Sequence, residues 1–202
     1  MKKIWLTCVV VLFVSLFSGH AYSQLVVIEP DDFAEGTDLR EINPLVSMVV
    51  TTSSFETPFA VTANADNMGL ASTGTMVFGH ANVPFWNGER RLQLDFNTLV
   101  SEISIDVNGD FTLDPEIGIL EIYNSDDVLL DVVETNPLSG VPVTLSLSRQ
   151  QGDIARAVAY ASNGPFLRLD NLSFSVAPIP EPTTASVLAI VSICALLRRR
   201  RT

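Results

Sequence analysis

Hydrophobic and polar residues alternate with a period of two along most of the middle of the chain. Residues 103–107 and 143–147 place an apolar side chain at every second position, with serine, threonine or aspartate between them. This alternation predicts strands that bury one face and expose the other. Little helical periodicity interrupts it, so residues 24–177 are predicted to form an all-β domain.

Turn residues divide this segment into about ten or eleven short strands. The clearest signal is the polar turn at residues 124–127, between the apolar runs 117–123 and 128–133, which predicts a hairpin. Further strands are predicted at residues 25–28, 45–52, 59–63, 75–78, 91–96, 154–161 and 166–176. So many strands favour a two-sheet antiparallel sandwich of jelly-roll type. An immunoglobulin-like sandwich is the alternative, although about seven strands suffice for that fold.

Both ends of the chain depart from this pattern, because each carries a continuous apolar run. The first run, residues 4–17, follows two lysines and precedes small residues, which is the arrangement of a secretory signal peptide. We therefore predict that residues 1–23 are removed by cleavage between Ser23 and Gln24. An uncleaved anchor helix is the alternative, but the run is short for one.

The C-terminal segment, residues 178–202, contains three parts in order. Pro180, Glu181 and Pro182 come first, and the prolines prevent the backbone from joining the interior of a sheet. The apolar run that follows, residues 185–197, predicts a short transmembrane helix. The third part is a basic cluster formed by Arg198, Arg199, Arg200 and Arg201. Positive charges beside a membrane segment favour a cytoplasmic end, with the domain on the other side.

This tail resembles the PEP-CTERM sorting signal of Gram-negative bacteria that make extracellular polysaccharide. The resemblance implies an exosortase, a membrane-embedded cysteine protease, as a partner. The chain would be inserted in the membrane before processing, cut near residues 180–182 and released to the cell surface or matrix. An ordinary single-span tail anchor is the alternative.

The later half of the domain, residues 92–176, is also similar to the β-sandwich domains that PEP-CTERM proteins and lectin-like modules carry.

Charge and cysteine content exclude several classes of function. The chain has a formal net charge of -11, and residues 24–177 contain no lysine. A nucleic-acid-binding surface needs excess positive charge, so nucleic acid is not expected as a partner. Cys8 and Cys194 lie in the terminal apolar runs, which excludes disulfides and cysteine-ligated zinc from the domain.

Candidates for catalysis are few. His80 is the one histidine of residues 24–177, and its sequence context favours a surface or loop role. No Gly-x-Ser-x-Gly turn is present, and acidic residues are so numerous that a close carboxylate pair says little about glycosidase activity. We therefore predict no catalytic residue and no enzymatic activity.

Calcium is the cofactor for which the sequence offers candidate ligands. The last strand changes its buried face at Asp170, which predicts a bulge there or an inward carboxylate that needs a partner. In calcium-stabilised carbohydrate-binding jelly rolls, an aspartate on the last strand often joins acidic residues of the first. By that resemblance, Asp170 would meet Glu29, Asp31 or Asp32, with a plain hydrogen-bond network as the alternative. Residues 106–116 also alternate oxygen-bearing side chains, but they depart from the EF-hand pattern.

Phe85 and Trp86 are the candidate carbohydrate-binding residues, because they lie on a predicted turn and aromatic rings stack on sugars. Both could instead cap the core.

The leading hypothesis is a secreted, non-enzymatic structural or adhesive protein of the envelope or exopolysaccharide matrix. A calcium-dependent lectin-like module is the first alternative, and a glycan-active hydrolase or lyase is the second.

Overall fold

The computed structural model describes residues 23–52, 59–109, 116–162, 164 and 166–177. Gln24–Ala177 forms one compact unit. Its strands are β1 (Gln24–Ile28), β2 (Val46–Thr52), β3 (Phe59–Ala60), β4 (Thr62–Ala65), β5 (Met76–Gly79), β6 (Arg90–Asn108), β7 (Gly118–Tyr123), β8 (Leu129–Glu134), β9 (Val143–Ser148), β10 (Ile154–Ala161) and β11 (Arg168–Val176). The described residues contain no α-helix, and a single 3-10 turn, Pro30–Asp32, follows β1. The all-β prediction is therefore confirmed, whereas the predicted signal peptide and transmembrane helix lie outside the described residues.

Strand β6 is the element on which the architecture depends, because its 19 residues run through both layers of the sandwich. Its first half pairs with β2 and β10, and this first layer continues through β3 at one edge and through β7 and β8 at the other. Its second half pairs with β9 and β11, and the second layer continues from β11 to β1, β5 and β4. All pairs are antiparallel. The jelly-roll connectivity itself stays a prediction.

The sequence predicts two strands where the structure has β6 alone. The link between them stays extended because its backbone is paired on both sides. Asn97 donates a backbone hydrogen bond to Leu45, Arg149 donates one to Ser101, and Ala177 donates one to Leu99. These partners are distant in sequence, so local patterning does not reveal them.

One core lies between the two layers, and it follows the predicted alternation. The first layer contributes fully buried side chains such as Met48, Leu92 and Leu94, and the second contributes Ile103 and Ile105. Fully burying each such side chain stabilises the fold by roughly 1.5–3 kcal/mol. The two layers share this core because β2, β6 and β11 bury most of their apolar side chains between the layers.

The bulge predicted in the last strand is confirmed. The pairing of β11 with β6 shifts between Asp170 and Ser173, and Asn171 adopts a positive φ of 43°. Leu169 and Leu172 are both fully buried as a result, on either side of the extra residue. Asp170 is only 1% exposed, so its carboxylate needs partners within the protein.

A buried ion pair fixes the loop between β4 and β5. Arg168 Nε donates to Asp66 Oδ1 at 2.8 Å, and the two side chains are 2% and 0% exposed. Asp66 also accepts backbone hydrogen bonds from Leu70 and Ala71. Burial raises the pKa of Asp66, but the hydrogen bonds from Arg168 and from backbone amides together outweigh it and keep the pKa below its usual range. The pair is a structural feature of this domain.

Candidate functional site

The solvent-facing side of the first layer carries an ordered set of polar and aromatic side chains. The antiparallel register forms two adjacent rows across β6, β10 and β7. The first row consists of Asp95, Arg156 and Tyr123, in that strand order. The second row consists of Gln93, Val158 and Glu121. We call this surface the tyrosine face, and its polar and aromatic members are Arg91, Gln93, Asp95, Glu121, Tyr123, Arg156 and Tyr160. Five strands from β2 to β8 make it about 19 Å wide at ordinary strand spacing.

Glu121 joins the two tyrosines of the domain. Tyr123 donates its hydroxyl hydrogen to Glu121 Oε2 at 2.6 Å, and Tyr160 donates to Oε1 at 2.9 Å. Burial of the phenol groups, followed by their hydrogen bonds to the charged carboxylate, raises the pKa of each tyrosine to about 12. The two hydrogen bonds to one carboxylate fix the directions of both hydroxyl groups.

Two arginines complete the tyrosine face. The guanidinium carbon of Arg91 lies 4.0 Å from the centre of the Tyr160 ring, which is a cation–π contact. Arg156 donates to Asp95 Oδ1 at 2.7 Å, and Asp95 also accepts a hydrogen bond from Gln93 at 2.7 Å. These contacts hold the guanidinium, carboxylate and amide groups of the tyrosine face in fixed positions.

The margin of the tyrosine face beside β8 is apolar. Leu129 and Val132 are 49% and 43% exposed, and their strand positions pair with Tyr123 and Glu121. Because Arg91 covers the ring of Tyr160, the ring of Tyr123 and this margin offer the apolar contact area. The surface therefore combines hydrogen-bonding groups with an apolar strip.

Sequence reasoning missed this surface. The alternation in β7 and β10 does place residues 121 and 123, and 156 and 160, on the exposed face of each strand. It does not give the register between strands, which brings Tyr160 and Tyr123 to the same carboxylate. A search for aromatic residues on predicted exposed strand positions, rather than on turns, is the signal that would have found them.

The candidate sugar-binding residues Phe85 and Trp86 lie elsewhere. Trp86 is fully buried and donates its indole hydrogen to the backbone oxygen of Phe78 at 2.7 Å. A ring with no exposed face cannot stack on a sugar, so we assign Trp86 to the core, which was the alternative. Phe85 is half-buried and packs edge to face against Phe166 at 5.8 Å.

His80 begins the turn that leads to Val83, as the loop part of the prediction has it, but the surface part is wrong because the residue is only 5% exposed. The imidazole ring stacks against Phe59 at 6.5 Å and meets the edge of Trp86 at 5.4 Å. Aromatic neighbours on two sides thus bury a residue that the turn-like sequence placed at the surface.

Three of the proposed calcium ligands lie around the loop before β5. Asp170 accepts backbone hydrogen bonds from Ser72 and Thr73, and Asp31 accepts one from Thr75 at 2.8 Å. Thr73 donates its hydroxyl hydrogen to Glu29 at 2.6 Å. Asp32 is exposed on the 3-10 turn.

This arrangement requires a glycine at position 74. Gly74 has a φ of +46°, and a Cβ atom there would overlap the carboxylate of Asp31.

The pKa of Glu29 is raised to about 7. Burial is the largest cause, and the neighbouring carboxylates of Asp170 and Asp31 raise it further, whereas the hydrogen bond from Thr73 lowers it. Within the described residues, no group of three or more histidine, cysteine, aspartate or glutamate side chains is arranged to hold a metal ion. Calcium binding at Asp170 therefore stays a prediction.

The sorting residues are described only at the N-terminal end of the domain. Ser23 precedes β1 and Gln24 begins it. The residues of the tail, Pro180, Glu181, Pro182, Arg198, Arg199, Arg200 and Arg201, lie outside the described residues. In the part of the chain that the structure describes, no helix is long and apolar enough to cross a membrane.

Comparisons with known proteins give structural neighbours alone. No family model matches the sequence, and no curated protein matches it. A mutant of the family 29 carbohydrate binding module CBM29-2 aligns with 76% of this chain and 92% of its own, at 15% identity and a TM-score of 0.44. A family 35 carbohydrate binding module from Clostridium thermocellum aligns with 76% of this chain and 99% of its own, at 10% identity and a TM-score of 0.40. The K2 cleaved adhesin domain of Lys-gingipain aligns with 80% of this chain and 95% of its own, at 14% identity and a TM-score of 0.38. Because all three TM-scores lie below 0.5, any function proposed for this chain has to rest on its own residues.

Proposed function

We propose that Gln24–Ala177 is a non-enzymatic carbohydrate-binding domain that uses the tyrosine face. The observation that carries the proposal is the convergence of both domain tyrosines on Glu121, on an open sheet face that Arg91 and Arg156 flank. A structural or adhesive role in an extracellular matrix would follow from binding its polysaccharide.

The chemistry of the tyrosine face suits a sugar chain. A sugar ring has apolar faces and a rim of hydroxyl groups that both donate and accept hydrogen bonds. Tyr123 and Leu129 supply apolar area, while Arg91, Gln93 and Arg156 supply donors. Rigid aromatic and already paired side chains lose little conformational entropy when a ligand binds, which favours affinity on an open surface.

Export and sorting form the second part of the proposal. The signal peptide at residues 1–23 would direct the domain out of the cytoplasm, and the tail at residues 178–202 would hold it in the membrane until an exosortase cuts it. Replacing Pro180, Glu181 and Pro182 together is expected to leave a larger protein in the membrane fraction. The sorting proposal fails if the triple variant has the mature mass and distribution of the wild type.

A polysaccharide-binding screen tests the proposed function. Gln24–Ala177 would be tested by affinity electrophoresis on neutral and acidic polysaccharides, with and without calcium. Tyr123→Ala is expected to weaken retention about tenfold or more, equivalent to about 1.4 kcal/mol, and Arg156→Ala is expected to act in the same direction.

Ser146→Ala provides the matched control, because Ser146 is an exposed strand residue of the second layer. Retention that is equal in Tyr123→Ala, Arg156→Ala and Ser146→Ala would place binding outside the tyrosine face. Absence of retention on every polysaccharide would leave the purely structural role as the better hypothesis.

A further inference from the structure

A small cavity lies at the end of the first layer, where Arg90 of β6 pairs with Thr52 of β2. Its volume is about 160 Å³. Its walls are formed by Thr52, Phe59, His80, Ala81, Val83 and Arg90. None of these residues belongs to the tyrosine face, so the cavity is a separate feature of the surface.

The imidazole of His80 has an unused hydrogen-bonding atom. Its Nε2 atom is shielded from solvent and has no hydrogen-bond partner within the described part of the chain. Leaving such an atom unpaired destabilises the protein, because the atom has lost its hydrogen bonds to water. Burial, and then the positive charge of Arg90, lower the pKa of His80 to about 4, so the ring is neutral at physiological pH. In either neutral tautomer a hydroxyl group can pair with Nε2, because a hydroxyl both donates and accepts.

Arg90 offers hydrogen-bond donors at the same cavity. Four other arginines of the described residues each pair with an aspartate, namely Arg40, Arg149, Arg156 and Arg168. Arg90 instead lies 6.0 Å from the centre of the Phe85 ring and forms no ion pair among the described residues. Its guanidinium is therefore available to a ligand. Phe59, which is 39% exposed, adds an aromatic wall.

The turn beside the cavity is held in an unfavourable backbone conformation. His80 and Val83 exchange two backbone hydrogen bonds, of 2.9 and 2.7 Å, and the two residues between them have positive φ values, 46° at Ala81 and 65° at Asn82. Alanine rarely adopts this conformation, because its Cβ is crowded there. Backbone strain of this kind clusters at binding sites, where the surrounding structure enforces it.

We infer that this cavity binds a single sugar unit, with a ligand hydroxyl paired to His80 Nε2, Arg90 donating to a second hydroxyl and Phe59 covering the sugar ring. The ligand class rests on the proposed carbohydrate binding, but the site is independent of the tyrosine face. Access to Nε2 requires a rotation of the imidazole ring or of the Phe59 ring stacked on it.

Trp86 provides a direct readout, because it is the one tryptophan of Gln24–Ala177 and its ring lies 5.4 Å from that of His80. Its fluorescence would be followed while glucose, mannose or galactose is added to Gln24–Ala177. The inference predicts a saturable change with at least one of these sugars. The apparent affinity should fall at least tenfold in His80→Phe, which keeps an aromatic ring but removes Nε2, and in Arg90→Gln, which leaves the core untouched.

Tyr123→Ala separates this inference from the proposed function. It should leave the monosaccharide response unchanged while it weakens retention on polysaccharide. The inference is overturned if no sugar gives a saturable response, if Arg90→Gln binds as the wild type does, or if Tyr123→Ala abolishes the response. If His80→Phe does not fold, Arg90→Gln alone decides. If the wild-type domain binds polysaccharide but shows no monosaccharide response, the cavity site is contradicted and the proposed function is not.

Discussion

The strongest test of the tyrosine face is the ionisation of its two tyrosines. Tyr22 precedes the predicted signal-peptide cleavage site, so Tyr123 and Tyr160 are the only tyrosines of Gln24–Ala177. Both have their pKa raised to about 12. At pH 11, about a tenth of such groups are ionised, whereas about nine tenths of ordinary tyrosines are. The near-ultraviolet absorbance of tyrosinate therefore measures the tyrosine face without interference.

Glu121→Gln isolates the contribution of the carboxylate. The variant removes the negative charge that opposes ionisation, while burial of the phenol groups persists. The midpoint of the tyrosine titration is therefore expected to fall below that of the wild type but to stay above the ordinary value, because burial is the largest cause of the raised pKa. Trp86 fluorescence confirms in parallel that the domain is folded, and Glu102→Gln on the second layer serves as the control.

Two results would refute this reasoning. A wild-type midpoint near the ordinary value for tyrosine would mean that Glu121 does not accept the two hydrogen bonds. An identical midpoint in Glu121→Gln and Glu102→Gln would mean that the carboxylate does not influence the tyrosines. Either result would also remove the ordered network on which the proposed sugar binding rests.

Three further predictions concern stability. Arg168→Met leaves Asp66 charged and buried without its partner, so we expect about 3–5 kcal/mol of destabilisation by chemical denaturation, and a loss below about 1 kcal/mol would argue against the pair. Glu29 in the folded domain keeps a proton up to about pH 7 that the unfolded chain releases near pH 4.5, so stability should fall as pH rises through this window. The loss should be about 1 kcal/mol after allowance for solvent screening, and Glu29→Gln should abolish it in melts recorded with chelator. Calcium added after chelation is expected to raise the melting temperature of the wild type but not of Asp170→Asn, and an unchanged wild-type melt would reject the calcium site.

Much of the fold could be predicted from the sequence, because the period of two records which side of each strand faces the core. Alternation located β2, β9 and β10 to within about a residue or two, a typical margin for element ends. The face change at Asp170 likewise predicted the bulge, since a strand cannot switch its buried side without an extra residue. These features are local, so the sequence alone contains them.

The candidate sites could not be predicted in the same way, because they depend on pairing between distant segments. Glu121 meets Tyr160 only because β7 and β10 pair in one register. His80 is buried because Phe59 and Trp86 close over it, although its own neighbours in sequence indicate a turn. The sequence left Trp86 between the core and a sugar-binding turn for the same reason, since its burial depends on partners such as Leu167 far along the chain.

Under the proposed export of the domain, the pairing of the first strand with the last limits when folding can take place. Gln24 pairs with Val176, and β11 lies inside the second layer, between β6 on one side and β1 and β5 on the other. Until residue 176 has left the translocation channel, that layer lacks an internal strand and β1 has no partner. Such long-range pairing also makes folding slow. The exported domain would therefore complete its second layer only after nearly all of the chain has emerged.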